Sequence, residues 1–176
     1  MASQALPVEL YRFDDDGRIP NNPTLPLLLY RGGFSLDGDP AATCEALFDQ
    51  NGWTGGWRNG IFGYHHFHST AHEVLGIARG EARVRFGGEQ GAVVSVSAGD
   101  VVVIPAGVGH CRESASRDLL VVGAYAGGRH QDLCAGRSGE RPGVLENIGR
   151  VPLPTADPIA GPDGPLLEHW RTSARP

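Results

Sequence analysis

The chain of 176 residues lacks the marks of several common protein classes. No apolar run is long enough to span a bilayer, and the N-terminal segment has no basic and apolar signal pattern. The formal net charge is -5 and no stretch is rich in lysine or arginine, so we expect no nucleic-acid partner. These absences predict a cytoplasmic protein with no membrane partner.

Cysteine is also scarce. Cys44, Cys111 and Cys134 are widely spaced and odd in number. They predict neither a disulfide framework nor a C-x-x-C metal site, and we expect them to be reduced thiols.

Glycine and proline are abundant, with 26 and 13 residues, and they separate short segments rich in β-branched and aromatic residues. This pattern predicts an all-β protein, an antiparallel sandwich or barrel. The length predicts one domain over 1–176, with a barrel core at about 58–127. The predicted strands are 61–68, 72–78, 82–86, 92–97, 101–105 and 119–125.

The segments outside the core predict one helix and two arms. A helix is expected at about 40–51, with Asp39 as its N-cap. The rest of 1–57 reads as an extended N-terminal arm because prolines interrupt it. The proline-rich segment 137–176 predicts an irregular C-terminal arm, with Leu166, Leu167 and Trp170 as possible anchors.

A run of two tryptophans lies just before the first histidines, in W-T-G-G-W-R-N-G. Trp53, Trp57, Arg58 and Asn59 could form a lid over a site. The alternative, which we favour, is that the tryptophans plug the end of the barrel or a dimer seam.

Four histidines and a glutamate crowd the stretch Y-H-H-F-H-S-T-A-H-E-V at 64–74. On a strand, His66 and His68 share one face, about 7 Å apart, and can converge on one ion. Glu73 can add a carboxylate from the next strand. His110, which follows a strand and a Pro/Gly turn, can supply a fourth ligand. This geometry predicts a mononuclear metal site.

Two motifs in this region resemble those of the cupins, small β-barrels that typically hold one metal ion. The first, G-x5-H-x-H-x3-4-E-x6-G, is matched from His66 to Gly80, and the second, G-x5-P-x-G-x2-H-x3-N, from Gly99 to Ser114. Ser114 replaces the terminal asparagine. The resemblance implies a cupin (jelly-roll) fold and the metal ligands His66, His68, Glu73 and His110.

The runs I-P-N-N-P-T-L-P, W-R-N-G-I-F and V-V-G-A-Y further resemble the YjlB-like cupins, a single-domain bacterial group. The resemblance leaves the reaction open. An alternative to metal binding is a barrel whose histidines serve as hydrogen-bonding groups for a ligand.

The remaining histidines and Cys111 carry weaker expectations. His65 and His72 have the wrong strand parity, so we interpret them as surface groups or as groups that orient a ligand, and His72 adjoins Glu73. His130 and His169 have no predicted role. Alternation turns Cys111 outward, and a small buried apolar role is the preferred interpretation.

The predicted cofactor is one divalent transition metal, Fe, Mn, Ni, Co or Zn. Zinc would be saturated by four protein ligands, whereas the octahedral ions would keep two open positions for a small oxygenated substrate. Three side chains are candidate catalytic groups. Glu73 could act as a base, Tyr64 shares the inward face, and Arg112 would favour an anionic substrate unless it pairs with Glu113.

Two functions fit this site. One is a metal-dependent enzyme, an oxygenase or an isomerase/lyase, acting on a small-molecule substrate. The other is a non-catalytic module that binds a small molecule or a metal. The absence of an appended DNA-binding helix pair favours the enzyme. Self-association as a homodimer through a sheet edge is expected with either function.

Overall fold

The computed structural model describes residues 6–173. Within that range, the strands are β1 (Val8–Tyr11), β2 (Leu27–Tyr30), β3 (Trp53–Asn59), β4 (Glu73–Arg79), β5 (Glu81–Phe86), β6 (Ala92–Ser97), β7 (Val101–Ile104), β8 (His110–Ala115) and β9 (Leu120–Ala126). The α-helices are α1 (Pro40–Gln50), α2 (Gly143–Arg150) and α3 (Pro165–Ser173). None of the helices in this part of the chain has the length and apolar character needed to cross a membrane.

The strands form two antiparallel sheets that together make a barrel. One sheet has six strands in the order β1-β2-β7-β4-β9-β3, and the other has three in the order β6-β5-β8. Strands distant in sequence, such as β2 and β7 or β5 and β8, lie side by side, as in a jelly roll. The predicted all-β barrel is therefore confirmed.

The two sheets are buried differently. β5 alternates exposed and buried residues, so the small sheet has one solvent face. The strands β2 and β7 are buried on both faces. Helices α1 and α3 cover the outer face of the large sheet, where Cys44, Phe48, Leu166 and Trp170 belong to one core cluster.

Helix α1 confirms the prediction for the region before the barrel. The side chain of Asp39 accepts a hydrogen bond from the Ala42 N–H, and Pro40 opens the helix. Gly76 of β4 lies beneath the helix, where an added Cβ would come within 2.2 Å of Cys44 Sγ. The missing side chain lets the helix pack directly on the sheet.

The prediction of a strand over 61–68 is wrong. Only His66 and Phe67 form isolated β-bridges there, and the remainder is turn or coil. The strand that precedes the histidines is β3, which pairs with β9 through an irregularity that contains Gly55 at a φ of 71°. Pairing with β9 outweighs the low strand propensity of two adjacent glycines.

The tryptophan run is divided between the core and the wall of the barrel cavity. Trp53 is fully buried in the core behind the large sheet, and its indole N–H donates to the Ala156 carbonyl at 2.9 Å. Arg58 forms an ion pair with Glu45 on α1 at 2.6 Å. Trp57 instead contributes to the wall of the barrel cavity.

The terminal arms are more regular than predicted. β1 and β2 extend the large sheet, while α2 and α3 give the C-terminal arm two helices. Leu166, Leu167 and Trp170 are buried, as expected of anchors. The C-terminal segment was predicted to be irregular because of its prolines. Pro142 and Pro165 lie at helix starts, however, where the backbone N–H that proline lacks would have no partner within the helix.

Candidate metal centre

Two of the predicted ligands are brought together by a backbone bridge. The N–H of His66 donates to the His110 carbonyl at 3.2 Å, and the N–H of His110 donates to the His66 carbonyl at 2.9 Å. Their imidazole centroids lie 4.0 Å apart. His66 and His110 are therefore brought together by a cross-strand pair.

His68 reaches the same place from a turn that Asp132 holds. The Asp132 carboxylate accepts hydrogen bonds from the Ser69 N–H at 2.6 Å, the Thr70 N–H at 3.3 Å and the Ser69 hydroxyl. The backbone carbonyl of Asp132 is the partner of His68 Nδ1. Asp132 therefore fixes both the turn and the orientation of the imidazole.

Glu73 opens β4 and faces the barrel interior with 2% of its surface exposed. Its Oε2 lies 3.3 Å from His68 Nε2 and 3.2 Å from His110 Nε2. This oxygen is buried and has no hydrogen-bond partner among residues 6–173. A buried carboxylate oxygen without a partner costs free energy, and a cation would remove that cost.

In each of the three histidines, Nδ1 is hydrogen-bonded to a backbone carbonyl and Nε2 is left as the possible metal-binding atom. The backbone carbonyls of Tyr64, Asp132 and Val108 accept hydrogen bonds from Nδ1 of His66, His68 and His110, respectively. Because a carbonyl can only accept, each Nδ1 carries the proton and each Nε2 keeps its lone pair. Ligand atoms of the three imidazoles lie within 4.8 Å of one another. The set fits a divalent transition metal.

Electrostatics favours the metal-binding protonation states of His66 and Glu73 but not that of His68. Burial and the neighbouring His110 lower the pKa of His66 to about 3, which keeps its imidazole neutral. Burial alone would raise the pKa of Glu73, but the imidazoles of His110 and His68 hold it below its usual range. Burial also opposes a charge on His68, yet the Glu73 carboxylate raises the pKa of that residue. His68 therefore competes for a proton.

A cavity of about 430 Å³ opens above these ligands, and Arg112 contributes to its wall. Glu113, the possible partner of Arg112, instead pairs with Arg85 at 2.6 Å. Arg112 has no ion-pair partner among residues 6–173. Its charge is thus available to a ligand.

Tyr64, the third candidate catalytic residue, lies outside the cavity wall. Its ring is 46% exposed and stacks on Phe62 at a centroid distance of 5.0 Å. Phe62 itself lines the cavity. A catalytic role for Tyr64 stays a prediction. Ser114, which replaces the asparagine of the motif, is exposed on β8 outside the cavity.

Tyr125 is a cavity residue that the sequence reasoning missed. It lies opposite Glu73 in the register of β9 against β4, and its hydroxyl accepts a hydrogen bond from Trp57 Nε1 at 3.0 Å. Its ring meets His68 edge-on, with centroids 5.9 Å apart. Burial and the Glu73 carboxylate raise its pKa. Inward and outward residues alternate along L-V-V-G-A-Y. Once β9 is aligned with β4, that alternation indicates that Tyr125 faces the cavity.

Two of the weaker expectations need correction. His72 is 1% exposed, and its Nδ1 accepts a hydrogen bond from the Ala106 N–H at 2.9 Å while its ring lies 4.7 Å from that of Trp170. It is therefore a core residue that joins the ligand region to α3. Cys111 is only partly buried because its side of β8 belongs to the outer face of the small sheet.

The fold and the ligand geometry define a cupin barrel, and the Cupin domain family matches residues 58–122. Over 162 residues the chain is 45% identical to the uncharacterized protein YjlB of Bacillus subtilis (strain 168), covering 92% of this chain and 96% of that protein. The chain belongs to the YjlB-like cupins.

Solved structures show partial similarity. Acireductone dioxygenase from Bacillus anthracis, with a cadmium ion in its active center, is 16% identical with a TM-score of 0.36, over 48% of this chain and 58% of that one. A deletion mutant of Bacillus subtilis oxalate decarboxylase is 17% identical with a TM-score of 0.36, over 77% of this chain and 29% of that one. The chain thus spans less than two thirds of either protein.

Proposed function

We propose that this cupin is a mononuclear metal-dependent enzyme, an oxygenase or an isomerase/lyase, that acts on a small oxygenated anion. The observation that carries the proposal is the convergence of three free Nε2 atoms and a Glu73 oxygen at a cavity that Arg112 also lines. Neither this oxygen nor the Arg112 guanidinium has a partner among residues 6–173. A divalent transition metal bound there would supply Lewis-acid or redox chemistry. We assign His66, His68, Glu73 and His110 as its ligands.

The other residues of the cavity have separate roles in this proposal. Arg112 binds and orients the anionic group of the substrate, because its guanidinium has no ion-pair partner in the described part of the chain. Trp57, Ile61 and Leu75 provide an apolar wall that excludes water and strengthens the electrostatic attraction. Glu73 is the one carboxylate within reach of His68 and His110 in the described chain, and it would act as a base only when detached from the metal.

The proposal also includes a cytoplasmic location and a homodimer, with no nucleic-acid partner. The net charge of -5 supports the exclusion of nucleic acid. β1 and β3 form the edges of the large sheet, and either edge could pair with a second copy. Sedimentation as a monomer at micromolar concentration would remove the dimer.

The proposal is tested on metal-free protein reconstituted separately with Fe(II), Mn(II), Ni(II), Co(II) and Zn(II). Each preparation is given a panel of hydroxy and oxo acids, and oxygen uptake and product NMR are recorded. We expect turnover with at least one metal and its loss on chelation. Recovery of every bound acid unchanged with all five metals would instead indicate a non-catalytic binding module.

Arg112→Met tests the assignment of the anion-binding residue. The variant should raise KM for the acid more than it lowers kcat, since an interaction made equally in the ground and transition states is lost. Arg83→Met is the matched control, because Arg83 is an exposed arginine on β5 outside the cavity wall. Equal KM values for Arg112→Met and the wild type would contradict the role of Arg112.

A further inference from the structure

The mouth of the cavity carries large apolar side chains. Two of them are substantially exposed, Phe62 at 50% and Leu133 at 54%, and Tyr64, which stacks on Phe62 outside the cavity wall, is 46% exposed. Phe62 and Leu133 both line the cavity. Clustered exposed apolar side chains at the rim of a pocket typically mark a surface that a ligand covers.

The apolar surface continues from the mouth into the cavity. Trp57, Ile61 and Leu75 line the deeper wall beside the metal ligands. Trp57 is held in place because its indole lies across Gly123, where an added Cβ would come within 2.1 Å of the ring, and donates to Tyr125. The apolar wall is therefore a fixed feature of the site.

One positive charge faces this apolar wall. Arg112 is unpaired within the described chain, whereas the other charged side chain on the wall above the ligands, Asp132, is engaged by Ser69 and Thr70. The volume of about 430 Å³ is typical of a pocket for an organic ligand and exceeds what a two-carbon acid needs. A ligand complementary to these features carries one anionic group and an apolar body.

We propose that the cavity takes an amphiphilic carboxylate, with the carboxylate between Arg112 and the metal ligands and the apolar chain against Phe62 and Leu133. The inference rests on the proposed function, because it names the substrate class of the same site. It excludes compact hydrophilic acids as preferred substrates.

The test measures binding of acetate, butanoate, hexanoate and octanoate by calorimetry, to zinc-loaded and to metal-free protein. Burial of each methylene favours binding by up to roughly fourfold, so affinity should rise two- to fourfold per methylene up to hexanoate. Hexanamide, a neutral match for hexanoate, should bind at least tenfold more weakly. Arg112→Met should reduce that tenfold preference for the anion.

Leu133→Ser tests the apolar contact at the mouth. Leu133 is more than half exposed, so its replacement should leave the fold intact while reducing the gain per methylene. Leu36→Ser is the control, since Leu36 is 46% exposed but lies outside the cavity wall. The control should bind the four acids as the wild type does.

Failure of the amphiphilic-ligand proposal can be distinguished from failure of the proposed metal-dependent function. If the protein binds metal but binds hexanoate no tighter than acetate, the inference is overturned and the proposed enzyme stands. An unchanged gain per methylene in Leu133→Ser would also overturn it. If the protein takes up no metal, the proposed function fails, while a chain-length dependence measured on metal-free protein would still support the amphiphilic ligand.

Discussion

Tyr125 lies directly opposite Glu73 in the register of β9 against β4, and its hydroxyl accepts a hydrogen bond from the Trp57 indole at 3.0 Å. A buried phenol is thus placed beside the one carboxylate of the proposed metal site. As cross-strand partners, the two side chains lie on the same face of the sheet.

Replacing Tyr125 with phenylalanine removes the hydroxyl that Trp57 contacts and that neighbours Glu73. We expect metal affinity to fall about 10- to 100-fold, the usual effect of losing a partner that orients a metal ligand. Metal affinity can be measured by competition with a chelator. Tyr11→Phe is the matched control, because the Tyr11 hydroxyl donates to Glu9 at 2.8 Å away from the cavity. Equal affinities for both variants would remove Tyr125 from the site.

Gly123→Ala should destabilise the fold. The added Cβ would come within 2.1 Å of the Trp57 indole, and overpacking of this kind costs about 1–3 kcal/mol. The free energy of unfolding in urea gives this cost. Gly149→Ala in α2 is the control, since nothing lies within 4 Å of its added Cβ, and it should be neutral or stabilising. Wild-type stability in Gly123→Ala would contradict the packing of Trp57 over β9.

Asp132→Asn tests the turn that presents His68. The neutral amide cannot accept the set of hydrogen bonds that Ser69 and Thr70 donate to the carboxylate. We expect about 10- to 100-fold weaker metal binding, because the turn no longer fixes the imidazole. Asp118→Asn, on an exposed turn, should bind metal as the wild type does. A weaker Asp118→Asn would show that the effect is not specific to the turn.

Metal affinity should depend on pH through His68. Its pKa is raised above the ordinary value of 6.5, so below that raised pKa a proton competes with the metal for the imidazole. The apparent Kd should then increase about tenfold for each unit that the pH falls. His66, with a pKa of about 3, stays neutral between pH 8 and 6 and adds nothing there. A Kd that is constant from pH 8 to pH 6 would contradict this assignment of His68.

The sequence predicted the barrel because short apolar runs and turn glycines repeat along it, a local signal that strands preserve. It also identified the side chains that the structure brings together, since their spacing follows the two motifs. It did not show how they come together, because the bridge between His66 and His110 joins residues far apart in sequence.

Tyr125 and Asp132 illustrate what local patterns omit. Tyr125 is placed by the register of β9 on β4, and Asp132 reaches the His68 turn from beyond the last strand. Neither pairing can be read from one segment alone, because each depends on how two distant segments align. The helices α2 and α3 were missed for a different reason, because their prolines resemble those of a coil until the helix starts are known.

The most direct test of the account is elemental analysis of protein purified without a metal-affinity tag. We expect about one equivalent of a divalent transition metal in the wild type and in His130→Ala, whose side chain is exposed. That metal should be lost in His66→Ala and in His110→Ala, each of which removes a proposed ligand. A folded wild type that contains no metal and takes up none on reconstitution would contradict the four-ligand site.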